Sequence, residues 1–496
     1  MSEKDTGNGS LSRRDFLKVS GAAGAVLSLA GVAAAGYAAG KDFDSYTGWE
    51  DVFEGGAQFF NRKPFEVDSP TYEKVGQGSR PDPRTGVIFT RHGLLRAARN
   101  GTEDTPGWTL EDGVDALPEP LASYYKENPR KLEMDLLRQE TLEPIQRENR
   151  QKYDIRWALA MAWGSAWGSV RPPRPNTPPE EWDFRDMRPE PFVPQSPEKA
   201  TELIKKVGHT FGATLVNVGP FNPDWSYSHN VRGGEPGPYE VPEWWQNAIV
   251  VTTPHEWDQM LGNPTYGTTS DGYARSSIAA YRIAAFIRNL GYPARAHTPY
   301  NGYDVMVPPI AVDAGQGQQG RFVFTITPEL GSNNRSAVVT TSMPLAHDKP
   351  IDVGITDFCK ECKICADNCP SNAITFADEP TTVVRGYKRW DLDLEACFNF
   401  WGVALGNGGC RVCLAVCPYA RKNNWIHSAA RTISSYDPTG IADLGMIWMQ
   451  ENFFDGPSQE DYYPPNHPQG NGTNASYRLG PDWMRIEEWF NVDVTW

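Results

Sequence analysis

Outside residues 359–417 the 496-residue sequence has no cysteine, and beyond residue 40 it has no apolar run of about 20 residues able to span a bilayer. The second absence excludes a polytopic membrane protein. Eight cysteines packed into one segment of a long chain also make a poor disulfide framework. Positive charge is short as well: 47 Lys and Arg face 62 Asp and Glu, a formal charge of −15. That balance argues against nucleic acid as the main partner and against polybasic adhesion to anionic lipid. Internal repeats are absent, and the eight histidines are scattered, each better read as structural than as a metal ligand. What remains is ordinary globular composition, 39% hydrophobic and 22% charged, with ample material for a buried core.

The first residues read as an address. Ser12-Arg13-Arg14-Asp15-Phe16-Leu17-Lys18 fits the twin-arginine export pattern, and no charge recurs until Lys41. The run between is rich in Gly and Ala, too weakly hydrophobic for a typical anchor helix, and Ala33-Ala34-Ala35 suits a cleavage site. Proteins on this route are exported already folded. Thiols destined for metal can therefore be occupied before they meet an oxidising compartment.

The organisation expected is a signal peptide over 1–35, an N-terminal domain over 36–195, a central domain over 196–348, a cysteine module over 349–420 and a C-terminal packing segment over 421–496. Asn61-Arg62-Lys63-Pro64-Phe65 and Pro81-Asp82-Pro83 read as surface loop, and Leu132 to Arg150 as helix. Nine prolines between Arg171 and Pro197 preclude regular structure there and mark a connector. Ser196-Pro197 caps a helix running toward Val207, and Gly212 to Gly219 forms a buried strand. A second helix is expected from about Arg275 to Leu290, ending at Gly291. Arg321 to Thr327 and Ser336 to Thr341 read as strands. Mixed helix and strand signals make residues 196–345 an α/β or α+β domain. Trp483, Ile486 and Phe490 share a helical face suited to packing.

Cys359-x2-Cys362-x2-Cys365-x3-Cys369-Pro370 is the bacterial ferredoxin run, and Cys397-x12-Cys410-x2-Cys413-x3-Cys417-Pro418 is its partner. In two-cluster logic Cys359, Cys362, Cys365 and Cys417 hold one [4Fe–4S] cluster, and Cys369, Cys397, Cys410 and Cys413 hold the other. The x12 gap makes Cys397 the least regular ligand. Zinc needs only four thiolates per site, but the triple run ending in Cys-Pro favours iron–sulfur. Two adjacent clusters make a short electron wire.

Gly315-Gln316-Gly317-Gln318-Gln319-Gly320 satisfies the dinucleotide pattern, but a strand is expected where a Rossmann unit needs a helix. No Asp-x-His-x-x-Gly occurs, so a corrinoid bound through a protein histidine has no signature here.

The chain resembles the respiratory reductive dehalogenases. The likeness rests on the twin-arginine leader, Asn61-Arg62-Lys63-Pro64-Phe65, Asp224-Trp225-Ser226-Tyr227-Ser228, Phe286-Ile287-Arg288-Asn289-Leu290-Gly291-Tyr292, the 315–321 loop, Asp348-Lys349-Pro350 and both cysteine runs. The resemblance implies an α+β sandwich, a nitroreductase-like domain holding a base-off cobamide, beside a two-cluster ferredoxin-like module. It implies that R–X plus two electrons and a proton become R–H and halide at Co(I), as the last step of anaerobic organohalide respiration. Tyr273 is then the proton donor, expected in a loop just before the helix, whereas Tyr281 lies on the apolar stripe. Arg335 balances the charge left behind, and Asn301 stands nearby. Gly315, Gly317, Gly320 and Tyr227 are the expected cobamide contacts, and Trp225, Trp244 and Trp245 are candidates for the pocket wall. The partners implied are a small organohalide, a small integral membrane anchor protein and a quinone- or hydrogenase-linked electron donor, at the outer face of the cytoplasmic membrane. Two alternatives stand beside this: an epoxyqueuosine-reductase-like cobamide enzyme, and a two-cluster electron-transfer protein without substrate.

Overall fold

The structure, a computed structural model, describes residues 65–142, 144, 155–168, 182–230, 237–238, 240–262, 265–299, 304–404, 409–421, 425–437 and 440–454. All of these lie in one compact unit, Trp49–Trp496. The leader, Asn61 to Pro64, Asn301 and the Trp483–Phe490 face lie outside the described residues. Among the described residues no helix is long and apolar enough to cross a membrane.

After a four-residue helix at Pro83–Gly86 come three longer ones, α1 (Ile88–Asn100), α2 (Leu121–Glu127) and α3 (Pro129–Leu137), packed through Leu95, Trp108, Leu121, Tyr125 and Leu132. The helix expected over Leu132 to Arg150 begins three residues earlier and passes into a π-helical turn at Arg138–Leu142. Helix α4 (Ile155–Gly168) follows. The Pro81-Asp82-Pro83 turn is not merely surface: the Asp82 side chain caps a short helix, and both prolines are buried.

Helix α5 (Pro197–Thr210) is capped by the Ser196 hydroxyl, which accepts from the Lys199 N–H as its position demands. The central sheet contains β1 (Leu215–Pro220), β2 (Asn247–Pro254), β3 (Ala294–His297) and β4 (Asn334–Thr341), in the order β1-β2-β4-β3 and antiparallel throughout. Its strands are almost wholly buried, because helices cover it. Helix α6 (Tyr266–Asn289) and α5 pack on one face through Ile204, Ala279, Ala280, Ile283 and Ile287 against Val216, Ile249 and Val339. Helix α7 (Val307–Asp313) serves the other face, where Ile310 and Ala311 meet Val250 and Val338.

Two expectations change here. Helix α6 starts nine residues before Arg275, so Tyr273 is helical. Arg321 to Thr327 is mostly turn, with strand only at Thr325–Ile326, because Val323 takes a positive φ of 62° that breaks the extended run.

The cysteine segment is a chain of short helices: α8 (Ile355–Glu361), α9 (Ile364–Asp367), α10 (Leu394–Phe398) and α11 (Val412–Ala415). Its core is shared with the rest of the molecule, since Phe65, Met260, Phe322 and Ile326 pack among Phe358, Trp390, Tyr419 and four cysteines. Phe65, expected on a surface loop, is therefore buried. Helices α12 (Trp425–Tyr436) and α13 (Ile441–Phe453) close the described chain.

Candidate active site and thiol clusters

Short helices and tight turns carry all eight thiols, none in a disulfide. Cys359, Cys362, Cys365 and Cys417 are buried within the apolar core, while Cys369, Cys397, Cys410 and Cys413 are half-buried. Each quartet is an electrostatic neighbourhood. Burial pushes the Cys359 thiol up to about 12, and Cys417 adds to the push. Burial likewise pushes Cys397 up to about 11 and Cys410 up to about 12, with Cys369 acting on both. The backbone N–H groups of Ile364, Val412 and Tyr419 oppose this at Cys362, Cys410 and Cys417. Left metal-free, such thiols keep their protons at neutral pH, whereas a bound metal displaces them.

The first quartet is pinned by a cation. Arg321, wholly buried, stacks 4.3 Å from the Trp390 ring. Its Nε donates to the Cys359 and Cys362 carbonyls at 3.2 and 3.3 Å, and its Nη1 to those of Thr375 and Ala377 at 2.9 and 2.6 Å.

The second quartet opens onto a cavity of about 1150 Å³, above the roughly 300–1,000 Å³ of ordinary small-molecule sites. Cys369, Cys397, Cys410 and Cys413 all line it, and none of the first quartet does. Tyr273 and Arg335 line it too, with the Arg335 guanidinium 4.2 Å from the Tyr273 ring. Arg335 is the second residue of β4, and Thr253 of β2 is its partner, so sheet and helix α6 bring the pair together.

Two groups beside them carry no sequence motif. Arg411, half-buried and between Cys410 and Cys413 in the chain, donates to the Cys410 carbonyl at 2.9 Å and the Thr269 hydroxyl at 2.8 Å. Burial, and then the neighbouring Arg335, lower it to about 10. Burial also holds His255 well below the usual imidazole range, reinforced by Arg335, Arg411 and Arg275, so the ring is neutral. Its only sequence signal is a histidine inside the Pro254-His255-Glu256 turn. Arg411 was easier to find, as a charge within a cysteine run.

The cavity also has an aromatic wall. Tyr72, Trp225 and Tyr387 pack with centroids 4.4–5.5 Å apart. Asp313 anchors it from behind, accepting from the Tyr72 hydroxyl and the Trp225 indole N–H, both at 2.6 Å. Tyr227 lines the cavity. Trp244 and Trp245 do not; Trp245 is core, edge-on to Phe221 and His297. Tyr281 also lies away from the cavity, its hydroxyl 2.9 Å from that of Thr298.

The glycine loop is a correction. Gly315, Gly317 and Gly320 are not lining residues; of that loop only Gln319 reaches the cavity. Gly315 has φ 68°, and a Cβ there would lie 2.0 Å from the Lys349 carbonyl oxygen. At Gly317 a Cβ would lie 2.2 Å from that of Ile326, and at Gly320 2.6 Å from the Ile326 side chain. These glycines let the chain double back on itself rather than approach a ligand.

A cobamide fits the cavity's size and aromatic lining. No histidine is among its described lining residues, so none of them offers cobalt an imidazole.

Residues 358–420 match the family described as 4Fe-4S dicluster domain, and residues 10–30 match the twin-arginine translocation pathway signal sequence. The chain is 33% identical over 290 residues to the tetrachloroethene reductive dehalogenase of Sulfurospirillum multivorans, covering 51% of this chain and 56% of that one. It is 36% identical over 167 residues to the trichloroethene reductive dehalogenase of Dehalococcoides mccartyi, covering 32% and 28%. The chain thus spans about half the length, or less, of these curated relatives. A solved reductive dehalogenase, whose structure suggests a mechanism for B12-dependent dehalogenation, superposes with a TM-score of 0.60 at 21% identity. That match covers 83% of this chain and 52% of the other. The fold is that of the reductive dehalogenases, and the leader is a twin-arginine export signal.

Proposed function

We propose that this chain is an exported reductive dehalogenase: R–X, two electrons and one proton give R–H and X−. The observation that carries the reading is a juxtaposition. One cavity wall presents a tyrosine under a guanidinium, and the same cavity is lined by a ferredoxin-type thiol quartet. Proton supply and electron supply therefore meet in one space.

A cobamide bound there supplies the chemistry of carbon–halogen reduction. Cys359, Cys362, Cys365 and Cys417 would hold the buried [4Fe–4S] cluster and Cys369, Cys397, Cys410 and Cys413 the cavity-side one, and such clusters would supply one-electron transfer. The Tyr273 hydroxyl gives its proton to the carbon that loses halide. Arg335 balances the resulting negative charge and eases reloading. Arg411 lends a second positive charge on the cluster side. Tyr72, Trp225 and Tyr387 present flat apolar faces suited to a small haloalkene or haloalkane and keep water out. A small integral membrane anchor protein and a quinone- or hydrogenase-linked donor complete the assembly at the outer face of the cytoplasmic membrane. An electron-transfer protein without substrate leaves the cavity without a purpose.

The test is metal content, followed by turnover, on protein purified without oxygen and reconstituted with cobamide. About one cobalt and eight iron per chain, with halide released from a chloroethene by a low-potential donor, is the expected result. Eight iron with no cobalt retained overturns the dehalogenase reading, and zinc in place of iron overturns the clusters as well.

A further inference from the structure

Cys397 stands apart from the other seven thiols in sequence, and the structure supplies what its spacing lacks. It sits on α10, a helix of five residues that cannot hold its own position. The residues two before and two after it, Glu395 and Asn399, are both gripped by one buried side chain. Arg138 is 1% exposed and donates from Nη2 to Glu395 Oε2 at 2.8 Å and from Nε to Asn399 Oδ1. Its Nη1 donates to Asp135, which is wholly buried.

A second arginine doubles the grip. Arg91, 3% exposed, donates to Glu395 Oε1 at 2.7 Å and to Asp135 Oδ2 at 2.8 Å, and Lys131 lies 3.1 Å from Glu395. Phe398, next to Cys397, is enclosed by Phe89, His92 and the Arg138 guanidinium at 5.4–5.8 Å. Every one of these gripping residues comes from α1, α3 or the turn after α3, a region without a motif of its own.

The geometry points to a role for that region: the N-terminal helices hold Cys397 in place as the fourth ligand of the cavity-side cluster. Glu395 and Asn399 are its positioning residues, and Arg91 and Arg138 are the hands of the clamp. Buried ion pairs are a costly means of mere stabilisation, since apolar packing does as well. They are suited to fixing one register, and here the register sets the thiol that closes the cluster. The inference rests on Cys397 being a ligand, as proposed above.

The test uses full-length protein reconstituted with iron and sulfide without oxygen, in four forms: unaltered, Glu395→Gln, Asn399→Ala and Cys397→Ser. Iron content and the electron paramagnetic resonance of both oxidised and reduced samples are read. In Glu395→Gln the cavity-side cluster is expected to lose one iron. Content then falls from about eight to about seven, and a [3Fe–4S] signal appears like that of Cys397→Ser, while the buried cluster's spectrum stays unchanged. Should Glu395→Gln fail to fold, Asn399→Ala removes only the second anchor, leaves the ion network intact, and is expected to show the same signal at lower yield. Full iron with unaltered spectra in a folded variant overturns the clamp, and so does equal loss from both clusters, which marks general loosening. If Cys397→Ser itself keeps both clusters intact, the ligand assignment fails instead.

Discussion

A guanidinium 4.2 Å from a tyrosine ring engages the ring by its face, an interaction distinct from what the hydroxyl does. That separates two contributions a substitution can remove. Tyr273→Phe keeps the ring, its packing and the cation–π contact, and loses only the proton. Its iron and cobalt contents should match the unaltered protein, while turnover falls on the order of 10²–10⁴-fold, as for loss of a general acid. Initial rates of halide release with reduced viologen as donor measure this. An unchanged rate moves the donor elsewhere. The sequence reading brings Tyr273 and Arg335 to one place, and both line the cavity, but Tyr273 does so from within a helix and not from the expected loop. His255 leaves no such trace, because burial makes it notable and burial of a polar residue has no pattern in sequence, whereas Arg411 has one weak signal, its place within a cysteine run. Two guanidiniums and a neutral imidazole come together only when β2, β4, α6 and the second cysteine run are folded.

The misplaced start of α6 has a physical cause at the scale of elements. Gly267-Thr268-Thr269-Ser270-Asp271-Gly272 is a poor helix by propensity, so local reasoning begins the helix after it. Packing overrides propensity. Gly267 faces the Trp163 ring of α4, and Gly164 of α4 faces the Tyr266 ring in return, so two glycines let the helices approach closely. A Cβ at Gly267 would lie 2.2 Å from the Trp163 ring. Glycine to alanine inside a helix ordinarily stabilises by about 1 kcal/mol. Here Gly267→Ala should instead destabilise by about 1–3 kcal/mol, the range for overpacking. A denaturant midpoint below that of the unaltered protein is expected, and a raised midpoint would show that α4 yields without cost. Caps were more legible than interiors: Ser196 begins α5 where its hydroxyl and the following proline require. The glycine loop misled because a glycine needed for backbone crowding looks, in sequence, like one needed for a ligand.

At the scale of the whole molecule the thiols set how the protein is assembled and how it fails. The first quartet lies inside an apolar core that draws in Phe65, Met260, Phe322 and Ile326 from distant parts of the chain. Iron there joins segments that would otherwise meet only through packing. Burial holds Cys359 and Cys410 near 12 and Cys397 near 11, against about 9 for an exposed thiol. The consequence for pH has opposite signs in the two forms. In the iron-free chain the folded pKa lies above the unfolded one, so the contribution to stability is complete below about pH 9. It is lost as pH rises toward 11–12, because the unfolded state ionises first. Iron binding has to expel those same protons, so loading strengthens with rising pH. Iron-free protein should therefore unfold in denaturant progressively more easily from pH 9 to pH 11, while the loaded protein does not share that slope. Reconstitution at fixed iron and sulfide should give higher occupancy at pH 8 than at pH 6.5. Proteolysis of the iron-free form should fall first within 351–421, leaving the four-stranded sheet and its helices, which carry no thiol, as the resistant fragment. A chain whose iron-free and loaded forms resist protease alike would mean the apolar core stands without its metal. The thiols would then be passengers in that core rather than part of what holds it together. Export of the folded chain fits the first outcome: the clusters are in place before the protein leaves the reducing compartment that can build them.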